Sequence, residues 1–217
     1  VLLLIISGLF SNSAIAAPPP EVAAVHIMTD ALLALKESKA QGKSSVEDVE
    51  LLIVERLLPN LDMTESTKQV LKTHWNELKP QQQLILKSYL AVSLVNNYSA
   101  ILAAYDDLDG IKITANPKVK RKDNKAIVKL NIYINGDQKP VVVSLKMMLS
   151  NDWHIYDVVF SGVSLVKNYQ ASFSSQIKRK GIEGLMAKAS KKLRKHTSEN
   201  CPVCIAMNFK KSMLAKQ

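Results

Sequence analysis

Apolar and polar positions change their period along the chain, from helical to strand-like and back to helical. Up to residue 58 apolar residues recur at helical spacing, with a polar break over residues 41–45. Ser45 precedes the second helical stretch and Asp48 follows three residues later, an approximate capping box. A shorter amphipathic helix is predicted over residues 64–78. Pro80 then occupies the first turn of the longest predicted helix, over residues 81–105.

The longest predicted helix is apolar on more than half of its circumference. One stripe consists of Leu86, Leu90, Leu94, Tyr98, Ile101 and Tyr105. A second stripe consists of Ile85, Tyr89, Val92, Val95 and Leu102. A helix with two apolar faces is either buried or lines an apolar space, because neither face can be left in water.

After residue 110 the apolar residues alternate, which predicts strands. Strands are expected over residues 126–134, 141–149 and 153–160, and a further strand within residues 111–119. Asn135-Gly136 favours a type I′ turn between the first two. Helical spacing returns over residues 163–177 and 182–193. The order of helices, antiparallel meander and helices predicts an α+β fold, with helices packed on one face of a curved sheet.

The first sixteen residues are uncharged and mostly apolar, and they end in Ala14-Ile15-Ala16. This pattern is typical of a secretory signal peptide cleaved after Ala16. A membrane anchor is the alternative, but the apolar stretch is shorter than the roughly 20 residues that a spanning helix needs. We therefore expect an exported protein with one domain over residues 17–195 and a C-terminal tail over residues 196–217.

The net charge of +10 is concentrated near the C-terminus. Residues 17–177 hold 18 Lys or Arg and 17 Asp or Glu, whereas residues 178–217 hold 11 and 2. Nucleic acid would be the usual partner of such a basic segment, but export argues against it. Anionic lipid headgroups or an acidic protein surface fit better. A solvated basic tail without a partner is the other interpretation.

Candidate catalytic groups do not form a convincing set. Gly42-Lys43-Ser44 matches the end of a phosphate-binding loop, but Glu37 replaces its first glycine and no strand precedes it. His154 and Asp157 could transfer protons, yet strand alternation directs them to opposite faces. We predict no catalytic residue and no metal ligand.

The two cysteines are close in sequence, as Cys201-Pro202-Val203-Cys204. A redox-active pair of this spacing normally follows a strand and opens a helix, whereas here a charged helix precedes it. A local disulfide is expected in an oxidising compartment, with a metal half-site and a redox function as alternatives.

Residues 153–169, with the sequence WHIYDVVFSGVSLVKNY, resemble the signature of the MlaC family, also called the toluene-tolerance family. The resemblance extends to further positions in most of the mature chain: Tyr98, Leu102, Tyr105, Gly136, Pro140, Ser172, Phe173, Gly181 and Leu185. The chain departs from the family at Phe160-Ser161, where an acidic residue is common, and after Leu193.

This resemblance implies a periplasmic phospholipid-binding protein, not an enzyme, with a sheet like that of nuclear transport factor 2 and a helical subdomain. Such proteins carry phospholipid between an outer-membrane lipoprotein complex and an inner-membrane ABC transporter with a lipid-binding MCE subunit, which maintains outer-membrane lipid asymmetry. We expect a monomer, no nucleic-acid partner, and no cofactor apart from phospholipid as cargo.

The resemblance also selects a set of expected lipid-binding residues from the helix, the sheet and the signature. They are Leu94, Tyr98, Ile101, Tyr105, Val128, Leu130, Ile132, Val143, Leu145, Met147, Tyr156, Val158, Val163 and Val166. The alternative function is an exported enzyme of the same fold class that acts on a small hydrophobic substrate with Asp157 or His154. A thiol-redox or metal accessory protein that uses Cys201 and Cys204 is a further alternative.

Overall fold

The computed structural model describes residues 17–196 and 201–208. The predicted signal peptide, residues 1–16, lies outside the described residues, as do residues 197–200 and 209–217 of the predicted tail. Among the described residues, no helix has the length and apolar character that crossing a bilayer requires.

The N-terminal half is helical, as the apolar spacing predicts. Helix α1 spans Pro20–Ala40, and α2 spans Val46–Leu52. The predicted capping box is confirmed: the Ser45 hydroxyl accepts from the Asp48 backbone N–H, and the Asp48 carboxylate accepts from the Ser45 N–H. The chain continues as a π-helical turn, Ile53–Leu57, and a 3₁₀ turn, Leu58–Asn60.

The single helix predicted over residues 64–78 is two helices. Helix α3 spans Met63–Leu71 and α4 spans His74–Glu77. Lys72 between them has a φ of 52°, which is incompatible with a right-handed helix and turns the chain. Helix α5 spans Pro80–Ala104 and begins at the proline, as predicted.

The strands are β1 Lys112–Ala115, β2 Lys120–Lys122, β3 Lys125–Tyr133, β4 Val141–Leu149, β5 Trp153–Phe160 and β6 Val163–Ser164. They form an antiparallel sheet with the order β1-β3-β4-β5-β6, and β2 also pairs with β3. A register shift between Lys146 and Met147 leaves Tyr156 of β5 without a partner on β4, as in a β-bulge.

The turn between β3 and β4 contains the predicted Asn135-Gly136 pair. Both residues have positive φ, 48° and 78°, as a type I′ turn requires. Their turn is closed by a hydrogen bond from the Asp137 N–H to the Ile134 carbonyl. The first ladder pair is Ile132 with Val141, so the turn lies within a longer connection.

Helix α6, Leu165–His196, is interrupted at Gly181, where φ is 68° and ψ is 179°. The interruption separates the two helices that the sequence predicts on either side of it. Residues beyond the expected domain also pack on the helical layer: helix α7, Pro202–Ala206, lies against α5. Cys201 and Cys204 form a disulfide and are buried in the apolar core of that layer.

Two apolar clusters form the core. One lies among the helices α2, α3, α5 and α6. The other lies between α1 and the sheet, where Ala24 and Ile27 cover Val128, Leu130 and Leu145. The predicted α+β fold with an antiparallel curved sheet is confirmed.

Candidate functional site

A cavity of about 310 Å³ lies where the helical cluster meets the sheet. Its wall combines residues from α1, the π-helical turn, α3, α5, β5 and α6. The lining residues are Met28, Ile53, Leu57, Leu61, Met63, Ser66, Val70, Leu90, Leu94, Tyr98, Ile101, Leu102, Ile155, Tyr156, Asp157, Val158, Leu165, Val166 and Tyr169.

Helical spacing places side chains from three helices on the cavity wall. On α5, Leu90, Leu94 and Tyr98 follow one another at intervals of four residues and therefore lie on one face. On α3, Met63 and Val70 lie two turns apart and face the same space. The first turns of α6 close the cavity from the side of the sheet.

Two hydroxyl groups of the wall, those of Ser66 and Tyr169, bond to other groups of the protein. The Ser66 hydroxyl lies 2.8 Å from the carbonyl oxygens of both Asp62 and Tyr156, to which it can donate. The Tyr169 hydroxyl accepts a hydrogen bond of 2.9 Å from the Asn97 amide. The interior therefore offers a ligand mainly apolar contact.

Asp157 is the charged residue on the wall, and its carboxylate is held by three partners. Its side chain is 1% exposed and lies 2.9 Å from the Lys146 ammonium. The Ser164 hydroxyl and the Val166 backbone N–H also donate to it, at 2.7 and 3.0 Å. The carboxylate therefore joins β4, β5 and the start of α6, where it fixes one side of the cavity.

Burial raises the pKa of two of the three tyrosines on the wall, Tyr169 and Tyr98. Burial raises the pKa of Tyr169 to about 12, although the hydrogen bond from Asn97 opposes the rise. Burial also raises the pKa of Tyr98 above its ordinary value of 10.0. Both hydroxyls therefore stay protonated at neutral pH, and the helical wall adds no charge.

The cavity is open to water beside the C-terminal half of α5. Ile101 is 63% exposed although it lines the cavity, and Tyr98 is 36% exposed. Phe160 and Val163, which are paired across β5 and β6, are also exposed. We call the opening at Tyr98 and Ile101 the mouth.

Comparison with known proteins agrees with this geometry. Residues 26–191 match the family model described as MlaC protein. The chain belongs to the MlaC family. A solved structure with the same fold is the phospholipid-binding protein from Ralstonia solanacearum, determined in complex with a phospholipid. It has a TM-score of 0.70 and 22% sequence identity, over 80% of this chain and 96% of that chain.

The MlaC resemblance inferred from residues 153–169 is thus confirmed, and the match ends at residue 191. Helix α7 and the cysteine pair lie beyond the residues matched by the MlaC model. The structure provides the disulfide partner of each cysteine, and no group of metal-binding side chains occurs among the described residues.

The structure brings six of the fourteen expected lipid-binding residues to the cavity. They are Leu94, Tyr98, Ile101, Tyr156, Val158 and Val166. Two of the six, Tyr156 and Val158, are on the sheet, and both belong to β5, the strand that faces the helical layer across the cavity.

The other eight expected residues lie elsewhere, for three different reasons. Val128, Leu130, Val143, Leu145 and Met147 are buried in the cluster between the sheet and α1, which Ile132 adjoins. Tyr105 follows the last residue of α5 and is exposed. Val163 is exposed on β6. The lipid-binding role of all fourteen residues stays a prediction, and six of them line this cavity.

Much of the wall comes from residues that the sequence does not single out as binding residues. The π-helical turn and the residues after it provide Ile53, Leu57, Leu61 and Met63, and α1 provides Met28. In the sequence these residues belong to the apolar stripes of the helices before residue 72. Such a stripe has the same pattern whether the helix packs in a core or lines a cavity.

His154 and Asp157 do not form a proton-transfer pair. Asp157 bonds to Lys146, Ser164 and Val166, as described above. His154 lies in a separate surface groove with Lys87, and its Nδ1 atom is 3.0 Å from the Asp152 carbonyl. The prediction from strand alternation that the two side chains lie on opposite faces is wrong, because the bulge at Tyr156 interrupts the alternation and both are paired to the same face of β4. They nevertheless line different spaces.

Proposed function

We propose that this protein binds a phospholipid by enclosing its acyl chains in the cavity between α5, α3, β5 and α6, and carries it through the periplasm. The main observation behind this proposal is an apolar cavity wall with Asp157 as its charged residue and with a mouth at Tyr98 and Ile101. Membership of the MlaC family and the phospholipid bound to the Ralstonia solanacearum protein support the same ligand class.

The size of the energetic problem explains why an enclosed site is needed. Two acyl chains contain about 30 methylenes, and exposing them to water costs about 0.8 kcal/mol each, or about 25 kcal/mol together. Transfer from a bilayer into an apolar cavity avoids most of this cost. The mouth leaves the headgroup in water, where its hydration is retained.

The cavity must widen for a lipid with two chains. A methylene is about as large as a water molecule, whose share of liquid volume is about 30 Å³, so 310 Å³ holds about ten of them. Met28 and Met63 can adapt because methionine side chains are unbranched and flexible. Ile53 and Leu57 on the wall belong to a π-helical turn, and such turns are common at functional sites.

We infer further that the carrier exchanges phospholipid with an outer-membrane lipoprotein complex and with an inner-membrane ABC transporter that has an MCE subunit. Family membership supports these partners. The direction of net transport must come from the transporter, because moving a lipid between two apolar environments changes the free energy little.

The test is mass spectrometry of an organic extract of the purified native protein, with a variant that fills the cavity. Leu94→Trp puts a larger side chain into the lining, while Leu51→Trp puts the same side chain on an exposed position of α2. We expect about one phospholipid per wild-type chain, at least a fivefold loss in Leu94→Trp, and no change in Leu51→Trp.

Two results would contradict the proposal. One is a wild-type extract without stoichiometric phospholipid. The other is an unchanged phospholipid content in a Leu94→Trp variant whose circular dichroism shows that it is folded.

The exchange step is tested separately with a labelled phospholipid bound to the protein. We expect transfer to proteoliposomes that contain the transporter and no transfer to liposomes without it.

A further inference from the structure

The second half of α6, after Gly181, presents a row of lysines to water. Lys188, Lys191 and Lys195 recur at intervals of three and four residues and are exposed, so they form one face, which we call the basic face. The opposite side of the same helix is buried in the core by Leu185, Met186, Ala189 and Leu193. Packing therefore fixes which way the lysines point.

The charge of the basic face is not neutralised within the described part of the chain. Residues 178–196 hold eight Lys or Arg and one acidic residue, Glu183. Lys188, Lys191 and Lys195 form no ion pair with a carboxylate of the described residues. The pKa of the neighbouring Lys192 is lowered, first by burial and then by the charge of Lys188. A partner with negative charge would relieve this repulsion.

The basic face ends at the same level along α5 as the cavity mouth. Asn96 on α5 lies 3.1 Å from the ring of His196, the last residue of α6. The next residue, Asn97, bonds to Tyr169, which lines the cavity. Tyr98 of the mouth lies at nearly the same level of α5, on another side of the helix from Asn96. The lysines thus approach the end of the molecule at which the cavity opens.

Two of the three acidic residues that follow α5 are paired with lysines, and the third, Asp107, accepts a hydrogen bond from the Asn135 amide. Asp106 lies 3.1 Å from the Lys39 ammonium, and Asp109 lies 3.6 Å from that of Lys36. This end of the molecule therefore combines an exposed apolar side chain, Ile101, with the positive charge at the end of the basic face. An anionic bilayer offers phosphate groups to the lysines and an apolar layer to the mouth.

We propose that the basic face docks the protein on an anionic phospholipid bilayer, with the cavity mouth turned toward it. This goes beyond cargo binding, since surface attachment requires no lipid in the cavity. Each basic residue held at an anionic membrane surface strengthens binding about fivefold. Removal of the three lysine charges is therefore expected to weaken binding about 100-fold.

The experiment is co-sedimentation of the mature protein with vesicles of phosphatidylcholine that contain about 30% phosphatidylglycerol, at low ionic strength, where surface charges are least screened. The test variant carries Lys188→Gln, Lys191→Gln and Lys195→Gln. The control variant carries Lys112→Gln, Lys118→Gln and Lys120→Gln, which removes the same charge from exposed positions at and near β1 and β2.

We expect the wild type and the control variant to bind these vesicles, the test variant to bind about 100-fold more weakly, and none of them to bind pure phosphatidylcholine. Equal weakening in both variants would show attraction by net charge alone and would overturn the proposal. Absence of wild-type binding would also overturn it and would leave an acidic protein as the partner of the basic face. Phospholipid content of the test variant is measured in parallel, so that a failure of docking is distinguished from a failure of cargo binding.

Discussion

At the residue scale, Asp157 shows how a carboxylate in an apolar wall can have a structural role. Its partners are Lys146 on β4, Ser164 on β6 and Val166 at the start of α6. One side chain therefore connects three segments beside the cavity. From the sequence, a structural role of Asp157 is favoured over proton transfer, but its partners are not predicted. Only the structure identifies its partners, because Ser164 and Val166 approach it after the chain turns back at Ser161 and Gly162.

Asp157→Ala is expected to destabilise the fold. Breaking a buried ion pair by removing one partner costs about 3–5 kcal/mol, and partial hydration of Lys146 reduces this to about 2–3 kcal/mol. Urea denaturation followed by circular dichroism measures the change. Asp137→Ala, at an exposed position in the β3–β4 connection, should lie within about 0.5 kcal/mol of the wild type. Equal stability of the two variants would show that the Asp157 contacts contribute nothing.

At the element scale, the break in α6 decides where the basic face points. Phe173, before the break, stacks on the ring of Tyr89 of α5. The Lys192 ammonium, after the break, lies 5.9 Å from the centre of the Tyr89 ring. Both halves of α6 therefore pack on α5. The backbone at Gly181 lies in a φ/ψ region that is essentially restricted to glycine. Glycine at this position therefore permits the chain to change direction between the two halves of α6.

Gly181→Ala is expected to lower the free energy of unfolding by about 1–3 kcal/mol, the cost of holding a side-chain-bearing residue in this conformation. The added methyl group would meet no atom within 4 Å, so the cost is one of backbone strain rather than collision. Thermal and urea unfolding measure it. Lys178→Ala, in the regular part of the same helix, is the control and should change stability by less than about 0.5 kcal/mol. A neutral Gly181→Ala would show that α6 does not need this reversal.

At the scale of the whole molecule, alternation and helical spacing predict the elements well but not the layers. The sequence identifies Val128, Leu130 and Leu145 as the inward faces of β3 and β4. In the structure these side chains pack against α1 and do not line the cavity. A periodic pattern identifies a buried face without indicating what lies opposite it. The same limit applies to the tail, where only tertiary packing shows that Cys201 and Cys204 join the helical core.

The helical layer and the sheet are connected near the cavity by an ion pair between Glu65 of α3 and Lys125 of β3, with 2.8 Å between their charged atoms. Burial raises the pKa of Glu65, but the hydrogen bonds and charges of Lys125 and its neighbours outweigh burial and lower the pKa below 4.5. The hydrogen bond to Glu65 raises the pKa of Lys125 above 10.5, although burial opposes the rise.

The stability from this pair should therefore depend on pH at both ends of the range. A carboxylate whose pKa is lowered by folding stabilises above its unfolded pKa and loses this contribution as pH falls through the folded value. The lysine contribution is complete below pH 10.5 and is lost as pH rises through its raised pKa. Because Lys125 is partly exposed, Glu65→Gln should cost about 1 kcal/mol at neutral pH. The deficit, measured by urea unfolding, should shrink below pH 4.5, whereas the exposed control Glu37→Gln should show none. A deficit that is constant with pH would mean that packing, rather than charge, connects the two layers here.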